Sequence, residues 1–574
     1  MSAKIIDDPR DGRVSFDNAW NQAAVNSAAM GGTMDHDVDR REFTLGFLTA
    51  SFATLALGPA TATAAGGGVL DQPWAVWPKD AKPVRGGYFR IAASQYIGKM
   101  NPNHWPVLDW ISMGYFHERL MFTDGAYNPT VPWLAEQLTF ENPQSVLMGL
   151  RDGVTFHDGS PFNAESVKFQ IDWIRNPSSK AWSVSWLAQL DAVEVVDERT
   201  LRWKFKTPWA GFNGVVANVP GYVMSAKALQ EDAEKYDSQP QGTGPYMIEE
   251  ASPGNFLKLK RNPNWWFAKA SNNPDMPYFD GILVTVIPDP AVRLANLRAG
   301  KIDVLLLDKS QYTSVKSDAA FNAYRLPGNH VNALRFNTVK GVFQDIRLRK
   351  AVSHAIDRQA LIAGTQFGLA RLASCMFPDD HWCHNPDLKP VAYDPELSKK
   401  LLAEAGHGNG LTVRGYYDNT SMGQTIAEAC KSMLAQVGID WQVELLAPAA
   451  LATRMQSGDY DLAQGGWIFI YDPDLMPTGL YHPDGGFNFG RSKNEAAIAL
   501  IEAGRKEVDL EKRKAIYWKL EQVLYDSYED AWFWWEETAV AYRKSVQGWD
   551  QEGFLKYKDA WFWSHPLWFK DGKA

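Results

Sequence analysis

From Arg85 onward the chain alternates strand-like and helix-like segments, and this alternation is the strongest constraint on its fold. "GGYFRIAA" reads as an opening strand. "TLRWKFKTPW" sends Leu201, Trp203 and Phe205 to one side and Arg202, Lys204 and Lys206 to the other, as in a half-solvated antiparallel strand. "FLKLKRN", Phe256 to Asn262, repeats the pattern. "VLMGLRDGVTFHDGSPF" reads as two strands joined at Arg151-Asp152-Gly153, with His157-Asp158-Gly159 as a further turn and Asn163 as a helix cap. Helices alternate with these strands. Asp394-Pro395 caps a helix with Leu397, Leu401 and Leu402 inward and Gly406 at its end. Ser492 to Glu495 forms a capping box. Ile516, Leu520, Val523 and Leu524 stripe a later helix. "AVRLANLRAGKIDVL" is a helix ending at Gly300, followed by a strand from Ile302. No internal repeat and no low-complexity linker appears, so any lobes are joined by short crossovers.

A chain of 574 residues exceeds one ordinary core. A net charge of -9 and the lack of a basic stripe exclude nucleic acid as the main partner. The 24 Trp, 21 Tyr and 28 Phe exceed what an average core needs, leaving some for a ligand cleft.

Near the N-terminus, Arg40 and Arg41 precede a weakly apolar run from Phe43 to Leu57 and the Ala62-Thr63-Ala64 site. The run is too short and interrupted for a membrane span, and it resembles a twin-arginine export signal. Residues 1–64 are therefore expected to be leader and signal peptide, and Met34 offers a more ordinary start than Met1. No cysteine lies near the cleavage region, so a soluble periplasmic protein without lipid anchor is expected. Cys375 and Cys383 bracket a Pro378 loop and are expected to pair as a disulfide there; Cys430 is expected to be a buried thiol. His381, Cys383 and His384 lack CxxC or HExxH spacing, so no metal site is expected. The His157-Asp158 pair has no nucleophile nearby, and no Walker A, GxSxG or metalloprotease motif occurs. The chain does not read as an enzyme, and no cofactor is implied.

Six segments in one order resemble the family 5 (oligopeptide- and dipeptide-type) extracellular solute-binding proteins of ABC transporters. They are "PVRGGYFRIA", "LRDGVTFHDGSPFNAESVKF", "GTGPYMIEEASPGNFLKLKRNPNWW", "PYFDGILVTVIPDPAVRLANLRAGKIDVL", "LRFNTVKGVFQDIRLRKAVSHAIDR" and "NPDLKPVAYDPELSKKLLAEAG". The resemblance implies an α/β, two-lobed periplasmic-binding-protein-like fold (type II, with an extra subdomain) whose hinged lobes surround a central cleft. Lobe I would comprise residues 83–325 plus 535–574, with the extra subdomain at about 118–239, and lobe II residues 326–534. The implied partners are a small-molecule solute, the permease transmembrane subunits with their ATPases, and the twin-arginine export machinery. A monomer, not embedded in the membrane, is implied.

Peptide-binding members carry a Trp followed three residues later by an Asp that pairs with the peptide ammonium. Trp467 matches the Trp, and Ile470 stands at the Asp position. An unpartnered ammonium in a closed cleft is costly, by several kcal/mol in order of magnitude. Tyr471 follows, and Asp472 or Asp474 either substitutes for the missing acid or caps the next turn. Arg454 stands where a relative carries a carboxylate-binding arginine. Gln95, Tyr96, Asn101 and Trp105, after the opening strand, are the lobe I candidates; Trp382 and Arg371 lie in or near the cysteine loop. Three solute classes remain open: a peptide or amino-acid derivative, a sugar stacking on Trp, and an opine-like molecule or metal chelate. A periplasmic enzyme or chaperone is the contrasting class.

Overall fold

The computed structural model describes residues 82–104, 107, 109–123, 128–129, 131–271, 273–468, 472–548 and 566–573. The expected export signal with Arg40 and Arg41, together with Trp105, Ile470 and Tyr471, lies outside the described residues.

The alternating segments form the strands that hydrophobic periodicity indicates. In chain order these are β1 (Tyr88–Ala93), β2 (Ala135–Asn142), β3 (Ser145–Leu150), β4 (Leu190–Asp197), β5 (Thr200–Phe205), β6 (Tyr246–Ser252), β7 (Phe256–Arg261), β8 (Gly281–Val286) and β9 (Val304–Leu307). There follow β10 (Phe321–Phe336), β11 (Ala370–Leu372), β12 (Leu411–Asp418), β13 (Ile439–Leu446), β14 (Leu462–Ile468) and β15 (Asp530–Arg543). In β5, Leu201, Trp203 and Phe205 are buried as their alternation requires. The second strand expected after the Arg151 turn does not form. Residues there close on a single bridge between Thr155 and Pro161, because His157 Nε2 bonds the Gly244 carbonyl at 2.9 Å and Asp158 accepts from Ser160 and Ser225.

Most strands join one nine-stranded sheet in the order β14-β10-β15-β9-β1-β8-β7-β6, with β11 on β15. β1 runs parallel to β8 and β9. β2-β3-β5-β4 form a separate antiparallel sheet, and β12 and β13 pair in parallel apart from the large sheet. The fold is two-lobed, and the long antiparallel strands β10 and β15 run through both lobes. Phe321 to Pro327 pairs with Arg543 to Glu537, and Val331 to Phe336 pairs with Trp535 to Asp530. The register shifts between Pro327 and Val331 and again between Asn332 and Ala333, so the paired strands are locally irregular there.

Local signals at the helix ends match the structure with one exception. Asn163 and Asp394 cap their helices. The helix Glu495–Lys506 is capped by Asn494, which accepts from Ala497 N, and not by Ser492. In "GTGPY", Gly242 and Gly244 have no left-handed backbone; a Cβ on either would collide with the Phe116 backbone, at 2.0 and 2.7 Å. Close packing, and not a left-handed backbone, requires glycine there.

Candidate functional site

The sheet register sets several of the candidate residues in one row. Val331 of β10 faces Trp467 of β14 on one side and Trp535 of β15 on the other, and Trp535 faces Arg371 of β11. Directly paired residues share a sheet face, so Trp467, Val331, Trp535 and Arg371 form one row. Val331 and Trp535 are buried, while Trp467 is half-buried with its ring 4.3 Å from that of Phe487. Trp382 packs on the same apolar cluster, its ring 6.1 Å from Tyr517. The structure therefore brings together Trp467, Arg371 and Trp382, which are distant in sequence. Arg371 is ion-paired with Asp379, with Asp380 at 4.0 Å.

The two acids after Trp467 are committed elsewhere. Asp472 receives Arg513 Nη1 at 2.8 Å and Nη2 at 2.7 Å. Asp474 accepts from Arg505 Nε at 3.2 Å and from Thr478 Oγ1 at 2.8 Å. Both acids are buried, and burial is the main reason the Asp474 pKa is raised. They do not serve as free hooks, because desolvating a carboxylate demands an internal cation and Arg513 and Arg505 supply it. Asn101 is likewise interior, accepting from Asn103 N at 2.9 Å within its own loop. Arg454 is exposed on the helix Pro448–Ser457, its guanidinium 5.9 Å from the Tyr416 ring centre.

The expected disulfide is absent: Cys375 and Cys383 are buried free thiols, as is Cys430. Cys383 Sγ lies 2.7 Å from His381 Nδ1, and Cys375 Sγ contacts the Glu521 carbonyl at 3.7 Å. The loop is held instead by the Glu521 carboxylate, which takes Asn385 N at 2.7 Å, Phe377 N at 3.2 Å and His384 Nδ1 at 3.0 Å. Among the described residues no group of three or more His, Cys, Asp or Glu is placed to hold a metal ion.

Two further candidates stand at the carboxyl end of the parallel strand β1, a position where α/β sheets bind ligands. Gln95, exposed, and Tyr96, half-buried, follow β1 directly. Gln95 lines a cavity of about 380 Å³ together with Ser94, Trp110, Tyr115, Arg293 and Asp308. After β9, Lys309 donates to Gln366 and approaches Glu536 at 3.8 Å. Glu536 also accepts from Asn332 Nδ2 at 3.0 Å and lies 3.5 Å from His330 Nδ1. Burial acts to raise its pKa, but His330, Lys309 and Asn332 outweigh it and bring it down to about 2. This polar group beside the register shift of β10 escaped sequence reasoning. Its one signal is a set of polar residues, His330, Asn332 and Glu536, inside otherwise apolar strands.

Comparison with known proteins agrees with this architecture. The family model for bacterial extracellular solute-binding proteins, family 5 Middle, matches residues 129–488. A putative ABC transporter peptide-binding protein of Brucella ovis is 27% identical over 468 residues, 77% of this chain and 86% of that protein. The structure of the periplasmic binding protein DppA from Helicobacter pylori, in complex with the peptide STSA, superposes with a TM-score of 0.69 at 22% identity, covering 85% of this chain and 99% of the other. That of AgaA from A. tumefaciens R10, in complex with agropinic acid, does so with 0.69 at 23% identity, covering 84% and 99%. With more than half of its length matched by the family model, the chain belongs to the bacterial extracellular solute-binding proteins, family 5.

Proposed function

We propose that this protein is the periplasmic solute-binding component of an ABC import system, and that it captures a peptide or amino-acid derivative between its lobes. The lobes are taken as 83–325 plus 535–574 and 326–534, with about 118–239 as the extra subdomain. The observation that carries the reading is the row Trp467-Val331-Trp535-Arg371, which ends at the sheet edge in a half-buried indole. A solute touching that edge and the Gln95-Tyr96 turn contacts both lobes and so favours the shut form. The shut form is then recognised by the permease subunits, whose ATPases drive import; the binding protein itself carries out no chemistry. Export through the twin-arginine machinery delivers it, as a monomer, to the periplasm. The Brucella relative's name and the peptide held by the H. pylori protein support a peptide-class solute.

A second reading is a solute without an ammonium anchor, such as a sugar, an opine or a metal chelate. It is favoured by the commitment of Asp472 and Asp474 to Arg513 and Arg505, and by the agropinic acid held by AgaA. Thermal-shift screening of the mature protein separates the two. A solute at 100 times its Kd adds about 2.7 kcal/mol of stability. Silence across di- to pentapeptides with a response to disaccharides, opines or nickel-histidine overturns the peptide reading.

A further inference from the structure

The lobes touch at a place where no chain crosses between them. In lobe I the turn from Trp209 to Gly214 is anchored by Phe212, whose ring lies 5.0 Å from those of Trp203 and Phe205. Its other side meets lobe II. Ala210 N donates to the Arg505 carbonyl at 2.9 Å. A Cβ on Gly214 would stand 2.6 Å from the Cβ of Asp472, and one on Gly211 would stand 3.3 Å from Asp472 Oδ1 and 3.6 Å from Asp474 Oδ2.

Neither glycine is demanded by backbone conformation. Gly211 has φ of -77°, and Gly214 lies inside the helix Phe212–Val216, where glycine weakens the helix relative to alanine. What the missing side chains provide is room for lobe II. The opposing surface is preshaped, because Arg513 and Arg505 fix Asp472 and Asp474 by hydrogen bonds made within lobe II. Those ion pairs survive separation of the lobes, so the contact can open and shut without leaving a bare charge.

We propose that this contact is a clasp: Gly211 and Gly214 admit the Asp472-Asp474 turn when the lobes shut, and the clasp keeps part of the population shut without solute. Gly214 is thus a positioning residue for lobe closure. The proposal rests on the two-lobed fold and on no particular solute, so its test stands apart from the ligand screen.

The test is pulsed EPR on the full mature chain without added solute, with nitroxides on Lys206→Cys and Lys506→Cys. Both positions are exposed and flank the contact, while the three native cysteines are buried. The expected result is a short-distance population with Gly214 intact, its loss in Gly214→Leu, and partial retention in Gly214→Ala. Circular dichroism should show Gly214→Leu melting cooperatively at or above the midpoint of the unsubstituted protein. Identical distance distributions with and without Gly214→Leu overturn the proposal. So does a long separation alone in the unsubstituted protein, or a Gly214→Leu chain that fails to melt cooperatively while Gly214→Ala keeps the full short-distance population.

Discussion

Asp472 and Arg513 meet as a two-pronged ion pair, both carboxylate oxygens accepting from the two terminal guanidinium nitrogens at 2.8 and 2.7 Å, with both side chains almost wholly withdrawn from water. Removing one partner strands the other charge. Asp472→Ala is therefore expected to destabilise the protein by about 3–5 kcal/mol, measured by urea unfolding. The double change Asp472→Ala with Arg513→Met should cost distinctly less than Asp472→Ala alone; an equal cost would show that the stranded Arg513 is not the cause.

Trp467 is half-buried and leans on Phe487, so its truncation should tell on binding more than on folding. Trp467→Ala is expected to abolish the thermal shift given by whichever solute the screen identifies, with the solute-free midpoint lowered by only a few degrees. Unchanged affinity would reduce Trp467 to a packing residue.

Glu118 predicts a pH effect of unusual sign. Its buried carboxylate accepts the indole N–H groups of Trp133 at 2.9 Å, Trp265 at 3.0 Å and Trp266 at 3.0 Å. Burial pushes its pKa from 4.5 up to about 7, despite these donors and Thr243. Below pH 4.5 both folded and unfolded chains hold the proton; between about 4.5 and 7 only the unfolded chain releases it. Stability conferred by Glu118 is thus lost as pH rises through that window, by something on the order of 3 kcal/mol. Glu118→Gln should flatten the urea stability profile there, and a slope unchanged by the substitution would refute the assignment. The nearby Arg151 guanidinium, stacked 4.4 Å from the Trp266 ring centre, is present in both proteins and leaves the comparison intact.

Free thiols are expected in place of a disulfide. A thiol-reactive dye should label none of the three cysteines in the native protein and all three after denaturation without reductant. One labelled residue in place of three would restore the Cys375-Cys383 bridge.

Much of the fold was legible in the residues themselves. Leu201, Trp203 and Phe205 alternate because strand side chains point to opposite faces, and they are buried accordingly. Asn163 and Asp394 cap helices through contacts three residues away. The capping site at Asn494 was missed by two residues because Ser492 offers similar chemistry and is drawn away into the fold, where its backbone N–H bonds Asn488. The inner face of the helix Leu510–Ser527 carries Arg513 and Glu521 beside Leu520 and Leu524, and no periodicity of apolar residues announces buried charges.

Sequence by itself determined the α/β alternation, most of the helix caps and the family resemblance, because these depend on neighbours within a few residues. The roles of Asp472 and Asp474 were decided only by tertiary structure. Their arginines stand 41 and 31 residues further along the chain and reach them through the packing of two helices. The same holds for the row that sets Arg371 beside Trp535 and Trp467, since register between strands so far apart is fixed by the whole sheet. A local segment carries the propensity of its backbone, but the partner that satisfies a buried charge comes from wherever the fold brings one.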